Sequence, residues 1–141
     1  MSSLLRNVLA VVAGVVIGSI VNMVIVMVGP LVVPLPAGVD MSNPDALAEN
    51  IRLLKPANFL APWLAHALGT LVGAWVAARV AASHKMRFAL GIGAVFLIGG
   101  IAMVATIGGP RWFAALDLLG AYLPMAYLGG RLGGAARPSS A

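Results

Sequence analysis

Few side chains in this sequence could do chemistry. With no cysteine, thiolate nucleophiles, thiolate metal sites and disulfides are excluded. Two histidines and four acidic residues remain, and of these His66 and Asp117 fall inside long apolar runs. Asn22 sits in a third such run, Thr70 follows His66 by one helical turn, and Tyr122 follows Asp117. An imidazole and a carboxylate brought within reach can hold or move a proton, and with an amide and hydroxyls beside them they form a small binding layer. Desolvation disfavours a charged carboxylate, so Asp117 is expected to pair with His66 or to take up a proton itself.

Three readings compete for this set. The plainest is an interhelical hydrogen bond that fixes helix register. The second is a binding or proton-handling site, since ionisable groups at depth in a membrane normally face the protein interior or a wet cavity. A metal site is the weakest of the three, because one imidazole and one carboxylate are too few ligands unless another protomer contributes. No cofactor is expected: Gly91-Ile92-Gly93 lacks the third glycine and the preceding strand of a dinucleotide loop. Walker, His-Glu-x-x-His and Gly-x-Ser-x-Gly motifs are all missing.

Placing these residues depends on the elements that carry them. The chain has 141 residues, 61% hydrophobic and 9% charged. A water-soluble domain carries about a quarter charged residues, so the solvent of this one is expected to be largely lipid. Four stretches reach the roughly 20 apolar residues that a bilayer crossing needs. They run from about residue 4 to 28, 59 to 82, 88 to 107 and 112 to 128. The first is expected to break at Gly29-Pro30, and the last to bend at Pro124 and stop at Gly129-Gly130. The Val8–Gly29 run exceeds the roughly 7–15 apolar residues of a signal peptide and reads as a retained span.

The expected fold is therefore all-α: an integral membrane protein built as a four-transmembrane-helix bundle over residues 1–130, with one short external amphipathic helix between spans 1 and 2. That helix is expected in the 30–58 connection, after an extended stretch set by Pro30, Pro34 and Pro36. It starts at Ser42-Asn43-Pro44-Asp45 and ends near Lys55-Pro56. Leu47, Ile51 and Leu54 share one face of it at i, i+4 and i+7. It reads either as a connector covering helix ends or as a lid. Residues 131–141 read as a flexible cytoplasmic tail.

Orientation follows the basic residues. Arg6, Arg79, Lys85, Arg87, Arg131 and Arg137 fall on one side, and Arg52, Lys55 and Arg111 on the other. The richer side is expected to be cytoplasmic, with both termini there, in a bacterial-type inner (plasma) membrane. The net charge of +5 does not indicate nucleic acid, because the basic residues are scattered singly rather than set in an aromatic-interleaved stripe. Trp63, Trp112 and Phe113 sit near external span ends, as interface anchors do. Trp75 reads as lipid-facing or packed, and Met23, Met27 and Met103 as soft packing residues.

On this frame, depth can be counted at about 1.5 Å per residue. Asn22 lies about 12 Å, His66 about 10 Å and Asp117 about 8 Å below the external end, by the same rise. Three spans thus place polar groups at one level, which Thr70 and Tyr122 extend inward. His66, Thr70, Gly73 and Ala77 form one stripe, as do Asp117, Ala121 and Pro124. Small residues at four-residue spacing, Gly14 and Gly18 before Asn22 and Gly69, Gly73, Ala77 and Ala81, mark close helix contacts within the bundle or between protomers.

The preferred function is binding or passage of a small solute or proton through the polar layer, in a homo-oligomer or with another membrane subunit. The alternatives are a non-catalytic accessory or scaffold subunit, and an intramembrane enzyme on a lipid-soluble substrate with His66 as base and Asp117 orienting it. The enzyme reading has no nucleophile and no metal set behind it, so the sequence leans away from catalysis.

Overall fold

The computed structural model describes residues 1–135, of which 80% are helical and none forms a strand. The helices are α1 (Ser3–Val32), α2 (Leu47–Asn50), α3 (Leu60–Val80), α4 (Lys85–Ile107), α5 (Arg111–Gly120) and α6 (Leu123–Leu132). Four helical stretches, the last made of α5 and α6 together, are long and apolar enough to cross a bilayer. Both α1's start and α3's end lie at one end of the bundle, hereafter the terminal end. The segment 33–59 and the α4–α5 turn lie at the other, the loop end.

Small residues decide the packing. The buried core is almost entirely alanine and glycine, and its largest fully buried side chains are Ile92 and Thr70. Leucines, valines and isoleucines instead point outward along α1 and α4. This inverts the arrangement of a water-soluble protein, where the large apolar side chains are the ones buried. Helix α1 lies chiefly on α3, where the two glycine ladders interlock. A Cβ on Gly14 would stand 2.7 Å from the Gly73 carbonyl oxygen, and one on Gly18 2.7 Å from that of Gly69. The ladders are thus used up inside one chain.

Several element boundaries depart from the sequence expectation. Helix α1 does not break at Gly29-Pro30 but runs through to Val32. Pro30 removes only one bond, to the carbonyl four residues back, and the Val33 N–H still closes the last turn on the Gly29 carbonyl at 2.9 Å. Gly29 marks a close crossing instead, since a side chain there would collide with Ala61 at the start of α3. The fourth stretch is not one bent helix ending at Gly129-Gly130. It breaks at Ala121-Tyr122, and α6 continues through both glycines to Leu132. Proline lacks an N–H and crowds the carbonyl four residues back; for Pro124 that carbonyl is on Gly120, where α5 ends. The break also turns Pro124 outward while Asp117 and Ala121 stay buried, so these three do not share one face.

The expected external helix is shorter and less regular than expected. Residues 44–53 form a 3₁₀ turn, the single α-helical turn α2 and a second 3₁₀ turn. Its start is as read: Asn43 Oδ1 accepts the Asp45 N–H at 3.0 Å. Lys55, ahead of Pro56, is extended rather than helical. Two amides pin the segment down. The Asn50 side chain donates to the Asp40 carbonyl at 2.6 Å, and that of Asn58 to the Pro34 carbonyl at 3.0 Å.

At the terminal end, the Arg6 Nε–H donates to the Val80 carbonyl at 2.6 Å and the Ala82 N–H to Asn7 Oδ1 at 2.9 Å. These bonds satisfy the last turn of α3 from α1. Met23 and Met27 are exposed rather than packed, because α1 covers α3 with its glycine face alone. Of the expected tail, Arg131 and Leu132 belong to α6, and residues from 136 onward lie outside the described ones.

Candidate functional site

Near the loop end, α3 and α5 bring His66 and Asp117 together. Their Nδ1 and Oδ1 atoms are 2.8 Å apart. The Tyr122 hydroxyl donates to the other carboxylate oxygen, Oδ2, at 3.0 Å, and its ring stacks on the imidazole with centroids 5.6 Å apart. The helix break positions Tyr122: five residues after Asp117 on an unbroken helix it would point well away from it. Gly100 on α4 makes the room, since a Cβ there would stand 2.5 Å from the tyrosine oxygen.

The three side chains form a directional chain. An ionised Asp117 accepts from both neighbours, which puts a neutral imidazole's proton on Nδ1 and leaves Nε2 as its open acceptor. Asp117 and Tyr122 are buried, whereas the His66 side chain is 28% exposed against 3% for Asp117. His66 is therefore the member that meets whatever enters.

What it meets is space. A cavity of about 230 Å³ is lined by His66, Thr70 and Tyr122 together with Ser19 and Asn22 of α1 and Phe96 and Met103 of α4. It opens where α1 and α4 part. The two helices meet at Gly14 with Ile92 and at Gly18 with Phe96, but just beyond these contacts Ser19 and Gly99 are exposed across the cleft. Polar side chains line part of the cavity, which is roomy enough for several waters.

Of the residues expected from the sequence, His66, Asp117 and Tyr122 are bonded together. Asn22 and Thr70 share the cavity wall but bond to none of the others. The Thr70 hydroxyl is buried without any partner, unusual for a buried polar group. Among the described residues no three His, Cys, Asp or Glu side chains gather as a metal set.

Sequence reasoning missed Ser19, although it precedes Asn22 by three residues and so shares its face. It also missed Gly99 and Gly100, whose value lies in the side chains they lack. Asn50 and Asn58, which anchor the loop segment, gave no signal beyond being polar. No family model, curated protein or solved structure matches the chain, so the site is interpreted from its own geometry.

Proposed function

We propose that the protein is a four-span membrane protein that binds or passes a small hydrogen-bonding solute or proton at the His66–Asp117–Tyr122 chain. The observation that carries this reading is the cavity against His66. A bond that served only to fix helix register would need no open space beside it, and interiors leave few voids larger than a water.

Vesicles carrying the protein and an internal pH dye should equilibrate an imposed pH step faster than empty vesicles. His66→Gln should return them to the empty-vesicle rate with the melting temperature little changed, because glutamine can still bond Asp117. A variant that keeps the full rate would reduce the pair to a structural tie.

The membrane reading rests on the four apolar stretches and on the outward-facing large side chains. With the terminal end richer in Lys and Arg, that end is cytoplasmic in this proposal. Asp45→Cys should then react with an impermeant thiol reagent in intact cells, and Lys85→Cys only after permeabilisation. The opposite pattern would invert the orientation. The accessory-subunit reading loses its expected docking faces, because the glycine ladders are filled by α1 and α3 of the same chain.

A further inference from the structure

A second cavity, of about 290 Å³, adjoins the first and shares His66, Gly100 and Met103 with it. It lies under the loop segment. Leu47, Ile51 and Leu54, the apolar set at i, i+4 and i+7, line it from above despite the irregular helix that carries them. Ile107 of α4 and Phe113 of α5 line it from below. The two cavities differ in character: amide and hydroxyl side chains line part of the first, whereas the second is walled mainly by hydrocarbon, and His66 and Asp117 are the polar side chains in its lining.

Hydrocarbon walls favour an occupant with an apolar body, since contact with it removes apolar surface from water. The segment above is braced within itself, by Asn50 on the Asp40 carbonyl and Asn58 on the Pro34 carbonyl. An occupant must therefore be apolar where it lies beneath Ile51 and hydrogen-bonding where it reaches His66.

Its charge is also constrained. Among the described residues no Lys or Arg lines either cavity, so an anionic head would be buried without a counter-charge. Asp117, the one carboxylate in either lining, already accepts from His66 and Tyr122 and its side chain is only 3% exposed, so the head of an occupant meets His66 rather than the carboxylate. With Nδ1 engaged by Asp117, His66 offers Nε2 as an acceptor to a donor on the occupant. A neutral hydroxyl meets that requirement.

We propose that the joined cavities bind a neutral lipid-soluble alcohol, its hydroxyl donating to His66 Nε2 and its apolar body lying beneath Leu47, Ile51 and Leu54. The cleft between α1 and α4 gives such a molecule a way in from the membrane. This inference rests on the binding reading above and names its ligand class.

The test uses the full chain in lipid nanodiscs and three photoreactive probes of equal chain length: an alcohol, a carboxylate and an alkane, each with a diazirine in the chain. The alcohol should label residues 41–54 and the Phe113 region saturably, and the other two about tenfold less, as the loss of one buried hydrogen bond implies. His66→Gln should reduce alcohol labelling to the alkane level, and Ile51→Trp, which fills only the apolar cavity, should abolish it. Butanol, a head with almost no body, should shift the His66 ring ¹⁵N signals in both the parent and Ile51→Trp. Equal labelling by all three probes, or alcohol labelling indifferent to His66→Gln, would overturn the inference. If the butanol shift survives either result, the binding reading stands without it. If butanol leaves the ring signals unmoved and the alcohol probe also fails, both readings fall together.

Discussion

Replacing Asp117 by asparagine is expected to leave the bundle folded and to reverse the tautomer of His66. With Asp117 ionised, its carboxylate accepts from His66 Nδ1 at 2.8 Å and from the Tyr122 hydroxyl at 3.0 Å. An asparagine has one acceptor and one donor group in the same space. Tyr122 is buried and needs an acceptor for its proton, so the amide oxygen goes to it and the amide N–H₂ turns to His66. The imidazole must then accept at Nδ1 and carry its proton on Nε2. Ring ¹⁵N resonances of histidine-labelled protein read this directly, and the acceptor facing the cavity is lost along with any function that uses it. Asp117→Ala, by contrast, leaves the buried Tyr122 hydroxyl unpaired and is expected to destabilise the fold by about 1–3 kcal/mol. An unchanged His66 tautomer in Asp117→Asn would show that the carboxylate does not orient the ring.

The largest loss of stability is expected from Gly73→Leu. A Cβ at Gly73 would lie 2.6 Å from the Gly14 carbonyl oxygen and 3.3 Å from the Gly18 Cα. Both obstacles are backbone, which cannot rotate aside, so even alanine forces α1 off α3. Leucine adds three more carbons at this backbone-to-backbone contact, beyond the usual roughly 1–3 kcal/mol for overpacking. Melting in detergent should fall sharply, with Asn7 and Arg6 pulled from the end of α3. Gly91→Ala is the matched control: a Cβ there meets nothing within 4 Å. It should be neutral or stabilising by about 0.5–1 kcal/mol, the usual gain of alanine over glycine in a helix. A Gly73→Leu protein that melts like the parent would mean that α1 does not pack here.

Much of this site was legible before any coordinates. Counting depth along three apolar runs put His66 and Asp117 at one level, and the 2.8 Å contact agrees with that; the stripe expected to turn Asp117 inward does not hold, because Pro124 faces outward. Such counting works because a helix has a fixed rise and period, whatever its tertiary setting. It fails where the helix itself fails. Tyr122 could be placed at the right height but not in the right direction, because its direction is set by a break two residues before a proline. Pro30 shows the reverse error: the same residue type was read as a stop, yet in α1 it costs one bond near the helix end and the helix continues. The cavities were invisible for a different reason. They are spaces left between elements, and Ser19, Gly99 and Gly100 acquire meaning only once α1 and α4 are seen to part beside them.

The dependence of α1 on α3 has a consequence for how the chain is made. Synthesis delivers α1 first, with a glycine face that has no partner until α3 follows some thirty residues later. The later pair, α5 and α6, carries the interrupted backbone and the buried carboxylate, the features a bilayer tolerates least in isolation. Asp117 is best accommodated where its imidazole partner is already in place, so this broken stretch is expected to dock onto α3 and α4 after they have packed. A nascent chain stalled before that step would hold His66 without its partner and an open seam along α3 where Gly129 and Gly133 belong. Closure of the polar chain is then expected to follow the packing of α3 and α4, and a molecule in which it has not closed is recognisable by its unpaired His66.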